Sequence, residues 1–122
     1  MEAALWVAQA LVALAFAFHG YQLAFALEKM RGRVVWPRDV SDRLLRPIGV
    51  LEILGAIGLI LPTLTRVLPW LTVLAAACIV VLMVFAIVFH VRRREAPNIV
   101  LNAVFLTLAA FIAYGRWVIV PV

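Results

Sequence analysis

Charged residues divide this chain into four long apolar runs, 3–27, 47–65, 67–91 and 96–115, and that division leaves few folds open. As a helix rising ~1.5 Å per residue, each run is about long enough to cross the ~30 Å hydrocarbon core of a bilayer. Lipid offers no hydrogen bonds, so a spanning segment must satisfy its own backbone, which favours helices. The medium follows from composition: 67% of the 122 residues are hydrophobic and mean hydropathy is +1.13. Soluble domains use only about 45–50% apolar residues. Four spans consume nearly the whole chain. The expectation is an all-α membrane protein, an antiparallel bundle of four transmembrane helices forming one domain over residues 1–122. The spans fall at about 4–27, 47–65, 68–91 and 97–116.

The first run is read as a retained span. It lacks a basic start, and its apolar core exceeds the ~7–15 residues of a signal-peptide core. Charge asymmetry then sets the orientation. Lys29, Arg31, Arg33, Arg38, Arg43 and Arg46 lie in the first loop, and Arg92, Arg93 and Arg94 in the third. The opposite side carries Arg66 and Arg116. By the positive-inside rule the first and third loops are cytoplasmic and both termini lie outside an inner (plasma) membrane. The net charge of +5 reads as a topology signal and an attraction to anionic lipid heads. No aromatic or groove-reading pattern surrounds these bases, so nucleic acid is not an expected partner.

One carboxylate breaks the apolar rule. Glu52 is the only charge in the 19 residues of run 47–65. An ionisable group at such depth costs at least ~2.5 kcal/mol, so it turns to the bundle interior and commonly carries function. In an antiparallel arrangement it has company. Glu52 lies about 9 Å from Arg46 along the helix axis, Gln22 about 9 Å from Glu28, and His19 about 13 Å from it. Asn102 lies about 10 Å from Glu95, and Asn98 is shallower. His19, Tyr21, Gln22, Glu52, His90, Asn98 and Asn102 therefore share the cytoplasmic leaflet, opposite a strongly apolar outer half. Two readings stand at this point. One is a ligand pocket with Glu52 and His19 as candidate catalytic residues and Tyr21, Gln22, Asn98, Asn102 and His90 as ligand contacts. The other is a satisfied hydrogen-bonded knot holding helices that lipid does not drive together.

His90 has two readings of its own. Beside Arg92, Arg93 and Arg94 it can snorkel to lipid phosphates, or it can turn inward as a ligand or proton shuttle. His19, Glu52 and His90 match the residue types of a two-His-one-carboxylate site. They come from different helices without ligand spacing, so neither a metal nor a bis-histidine haem is expected. Cys78 is the only cysteine and reads as a small packing residue. Without a CxxC, thiol–disulfide chemistry within this chain is excluded.

Other features read as architecture. Gly49, Glu52, Gly55 and Gly58 recur every third residue, a small-residue stripe that lets a neighbouring helix approach. Pro47 and Pro97 suit helix starts, and Pro62 and Pro69 bracket an outer turn. Trp70 and Trp117 are expected as outer interface anchors and Trp36 as a cytoplasmic one. The first loop reads either as a solvated, lipid-attracted connection or as a lid on the pocket, with Asp39 or Ser41 capping an early start of span 2.

The stretch RPIGVLEILGAIGLILP over residues 46–62 resembles the second-helix signature of the DoxX-like family of small four-helix membrane proteins. Gly20 near the end of span 1, Phe89-His90 ending span 3, and the passage from Asn102 to Arg116 fit the same likeness. The chain departs from the family at Leu23, where relatives often carry a Lys three residues after the span 1 Gly. A Lys–Glu52 pair is therefore not transferable. The resemblance implies membrane quinone chemistry, as in relatives linked to a thiosulfate:quinone oxidoreductase. It equally implies the accessory or assembly role of other members, with a membrane protein or a second copy as partner. Quinone is the one cofactor so implied, and enzyme status stays open. A small transporter is disfavoured because the apolar outer half offers no continuous polar route.

Overall fold

The computed structural model describes residues 1–122 and contains only helices and their connections. Helix α1 spans Glu2–Phe25, and α2, Leu27–Arg33, follows after a break at Ala26. A 3-10 turn, Trp36–Asp39, leads into α3, Asp42–Thr65. Helices α4, Trp70–Arg92, and α5, Ala96–Tyr114, complete the bundle, and α5 continues as a π-helical turn over Gly115–Ile119. The four long helices are each apolar and long enough to cross a membrane. Their outward faces carry large apolar side chains such as Leu14, Leu51, Phe85 and Val104, which lie against lipid.

The helices form an up-and-down ring in the order α1, α3, α4, α5, closed by sparse contact between α5 and α1. The core is built from small and medium side chains: Ala8, Val12 and Phe16 on α1, Ala56 and Leu59 on α3, Ala76, Ile79 and Met83 on α4, and Ala109 and Ile112 on α5. Small residues permit close approach where there is no aqueous drive for association. Contact is tightest between α1 and α3. A Cβ placed on Gly20 would lie 2.6 Å from the Gly49 carbonyl oxygen, and one on Gly49 would lie 2.6 Å from both the Gly20 carbonyl oxygen and the Ala24 nitrogen. The small-residue stripe thus serves two neighbours: Gly49 faces α1, whereas Gly58 meets Ala75 of α4 and Gly55 meets Ile79.

The end of span 1 and the places of Pro47 and Pro62 need correction. Span 1 ends at Phe25, because Ala26 leaves helical geometry (φ −133°, ψ 35°) and turns the chain into α2. Helix α3 starts at Asp42, so Pro47 lies inside it, where its missing N–H leaves a carbonyl near the wet end without a helical partner. Helix α3 ends at Thr65, as expected, before Arg66 in left-handed geometry (φ 59°), but Pro62 lies inside it and does not bracket the outer turn. Ser41 precedes α3 in extended backbone, yet its side chain makes no capping bond.

The first loop is folded, not a free connection. Leu27 and Met30 of α2 bury against Leu23 and Leu45, with Trp36, Val40 and Ile48 packed around them. Arg31 straps the segment together: Nε donates to the Pro37 carbonyl at 3.0 Å, Nη2 to the Val40 carbonyl at 2.6 Å, and Nη1 to Asp42 at 2.5 Å. Arg93 in the third loop reaches Asp39 at 3.4 Å, tying the two basic loops to each other.

Candidate functional site

Beneath this folded loop lies a cavity of about 700 Å³, lined by all four long helices and by Trp36 and Val40 of the loop. Sixteen of its 22 lining residues are hydrophobic, so the polar ones stand out by position. They are His19 and Gln22 from α1, Glu52 from α3, His90 from α4, and Asn98 and Asn102 from α5. Phe16 and Phe105 meet edge to face across the bundle at 5.4 Å and form part of the wall.

His19 and Glu52 pair directly. Nδ1 of His19 lies 3.0 Å from both carboxylate oxygens of Glu52. With Glu52 ionised, the hydrogen of this forked bond sits on Nδ1 and the imidazole donates. Glu52 is only 4% exposed, whereas the imidazole is partly open. The local cause is the glycine crossing. His19 precedes Gly20, and Glu52 lies one turn beyond Gly49, so backbone contact between the two glycines brings imidazole and carboxylate within hydrogen-bond reach. In this chain the carboxylate partner is a histidine on α1, and position 23 holds a buried leucine.

His90 turns inward, which overturns the snorkelling alternative. It is 5% exposed, and its Nδ1 lies 2.7 Å from Glu95 Oε1. Arg93 Nε approaches the same oxygen at 3.4 Å. Trp36 bridges the two histidines. Its ring stacks on His19 at 5.9 Å and 18° and meets His90 edge on at 5.5 Å and 83°. The expectation of Trp36 as an interface anchor is replaced by a place over the cavity, next to the buried Pro37.

The remaining site residues divide. Gln22, Asn98 and Asn102 line the cavity, and none of their side-chain amides hydrogen-bonds to the protein. Tyr21 is 56% exposed on the outer face of α1, against Phe25, and does not line the cavity. The reason is helical spacing, since Tyr21 lies about 200° around the helix from His19. His19, Glu52 and His90 do not gather as a metal-ligand cluster.

A second polar cluster, at the end where the termini lie, corrects the expectation of an apolar outer half. Arg116, a charge near the C-terminal end of the last span, is only 2% exposed. Its Nε donates to Gln9 Oε1 at 2.8 Å and its Nη1 pairs with Glu2 at 2.9 Å, while Gln9 donates to the Leu59 carbonyl. The guanidinium also lies 5.4 Å from the Trp6 ring centre. The π turn that follows Tyr114 carries Arg116 into the bundle, and the adjoining Gly115 packs on Leu5. The sequence signal was a pairing of opposites, because Glu2 is the only acidic residue at that end. The two clusters are separated by the apolar layer of Val12, Ala56, Ile79 and Ala109.

The fold and the cavity define a multi-pass membrane protein, a four-span helical bundle with an ionisable pair in its interior. The DoxX-like family model matches residues 7–112, and the chain belongs to that family. Comparisons with curated proteins and with solved structures gave no match.

Proposed function

We propose that this protein binds a quinone or lipid-like molecule in the cavity around His19 and Glu52, and that binding links it to membrane redox chemistry. The observation that carries this reading is the state of the interior amides. A structural knot would spend the hydrogen bonds of Gln22, Asn98 and Asn102 on one another, but all three face an apolar-walled space unpaired. Unpaired polar groups beside a 700 Å³ cavity suit a ligand with a few oxygen atoms and an otherwise apolar body.

The residues fit a quinone head. Trp36 and Phe16 offer ring faces, Asn98 and Asn102 offer donors to carbonyl oxygens, and His19 offers its second ring nitrogen. A bound quinone supplies two-electron, two-proton redox capacity. This chain has no CxxC, so the electrons come from a separate redox protein. The role of His19 and Glu52 is to hold and pass one proton at His19 Nε2, with Glu52 stabilising the charged imidazole. The site then lies at the cytoplasmic end of an inner-membrane protein, because the roofing loops carry the basic residues.

A second reading, an accessory subunit of a larger membrane complex, draws on α5. Only 11% of its apolar window is buried within the chain, against 39% for α1, which leaves a broad face for a partner.

Mass spectrometry of small molecules co-purified with the wild type and with Glu52→Gln, at matched thermal stability, tests the first reading. A quinone or lipid enriched with the wild type alone is expected. Identical background lipids in both preparations would sink it.

A further inference from the structure

Two histidine–carboxylate pairs meet the cavity, and they are built in opposite directions. In the pair His19–Glu52 the carboxylate is the sealed end: Glu52 is 4% exposed and bonds to no side chain except His19. A proton held there can leave only by the way it came. In the pair His90–Glu95 the imidazole is the sealed end. His90 is buried and lines the cavity, whereas the Glu95 side chain, in the connection between α4 and α5, is 18% exposed beside the exposed Arg92 and Arg94. Nδ1 of His90 is engaged with Glu95 at 2.7 Å, and its Nε2 bonds to no protein atom. Of the fully buried side-chain nitrogens and oxygens only Nη2 of Arg116 lacks a partner, so Nε2 of His90 is not sealed in.

We infer that His90 and Glu95 form the path by which a second proton moves between the cavity ligand and water at the basic end of the bundle. The inference rests on the cavity reading above, which gives one proton to His19 and leaves the other without a carrier. An imidazole can accept at one nitrogen while it donates from the other. Inward, water protonates Glu95, Oε1 passes a proton to Nδ1, and the hydrogen on Nε2 goes to a ligand oxygen. The passage inverts the tautomer of His90, and the reverse passage, from ligand oxygen to Nε2 and from Nδ1 to Glu95, restores it. No electron moves in either direction. Around the pair, Arg93 approaches the same Glu95 oxygen at 3.4 Å and Asp39 of the roof lies beyond it, also at 3.4 Å. From α1, His19 lies on the far side of Trp36, which touches both imidazoles and has no basic nitrogen to pass a proton between them.

The experiment uses the full chain in lipid nanodiscs and 2-hexyl-4-nitrophenol, a phenol of quinol size that is yellow only when ionised. The fraction displaced by decylubiquinone reads occupancy of the cavity. A stopped-flow drop in pH reads how fast that fraction takes up its proton. Glu95→Gln and His90→Gln are expected to bind the probe as the wild type does and to slow the uptake by about a hundredfold. Glu28→Gln, which removes an exposed carboxylate of the first loop, should leave it unchanged. In Glu95→Ala, added formate should restore the rate, which a merely structural role of Glu95 would not allow. If His90→Gln fails to fold, the Glu95 variants decide alone. Wild-type rates in the variants, or slowing that formate leaves untouched, would overturn the relay and leave the cavity reading standing. Absence of any displaceable fraction in the wild type would overturn both.

Discussion

Gly20 of α1 and Gly49 of α3 pass so closely that a Cβ on either would lie 2.6 Å from the other's carbonyl oxygen, and this contact sets His19 against Glu52. The hydrogen-bonded pair in the cavity is a consequence of a backbone crossing. Helix packing and site geometry here are one feature.

Gly49→Ala is therefore expected to push α1 from α3 and to cost about 1–3 kcal/mol, the usual penalty of overpacking. Gly32→Ala is the control, because a Cβ there meets nothing within 4 Å. Thermal unfolding in detergent should show Gly49→Ala well below the wild type and Gly32→Ala level with it or above.

Removing His19 leaves a buried carboxylate without its partner. Breaking such a pair costs about 3–5 kcal/mol when both groups are buried, and the partial exposure of His19 places this case toward or below the lower end. His19→Ala should thus destabilise the bundle more than the double variant His19→Ala/Glu52→Gln. A double-mutant cycle of unfolding midpoints measures this, and strict additivity would contradict the pairing.

The roof should loosen without the bundle failing. Arg93 and Asp39 meet at 3.4 Å near the surface, and exposed pairs of this kind contribute about 0.2–1 kcal/mol. Arg93→Gln is expected to leave the melting temperature nearly unchanged while speeding amide exchange across residues 36–41. An unaltered exchange pattern would show that Arg31 alone holds the segment.

Arg116 is expected to behave as a core residue. Its replacement by Ala leaves the buried Gln9 Oε1 without its donor, whereas the half-exposed Glu2 stays solvated, and should cost about 1–3 kcal/mol. Arg116→Lys should rescue little, because one ammonium cannot reproduce the separate Nε and Nη1 bonds. Unfolding midpoints close to wild type for both variants would refute the buried position.

Glu52 and its depth could be read from the chain because a carboxylate in an apolar run has only the bundle interior to turn to. Its partner could not. Depth along a helix follows from counting residues, but which side chains face each other depends on how the helices rotate and cross. Tyr21 shows the limit: it shares the layer of His19 and points the other way. Trp36 shows another, since its place over two histidines arises from the Arg31 strap and the buried Pro37, contacts between residues brought together by the fold.

By itself the sequence determined the medium, the four spans, the interior place of Glu52 and the likeness to the DoxX-like family, which the family match bears out. Those depend on local quantities: run length, hydropathy and the cost of burying charge. Tertiary structure alone decided that His19 pairs with Glu52, that His90 turns to Glu95, that Trp36 roofs the cavity and that Arg116 lies inside. Each depends on the relative rotation and crossing of helices. Those are fixed by close backbone contacts such as Gly20 on Gly49, which no single run of sequence contains.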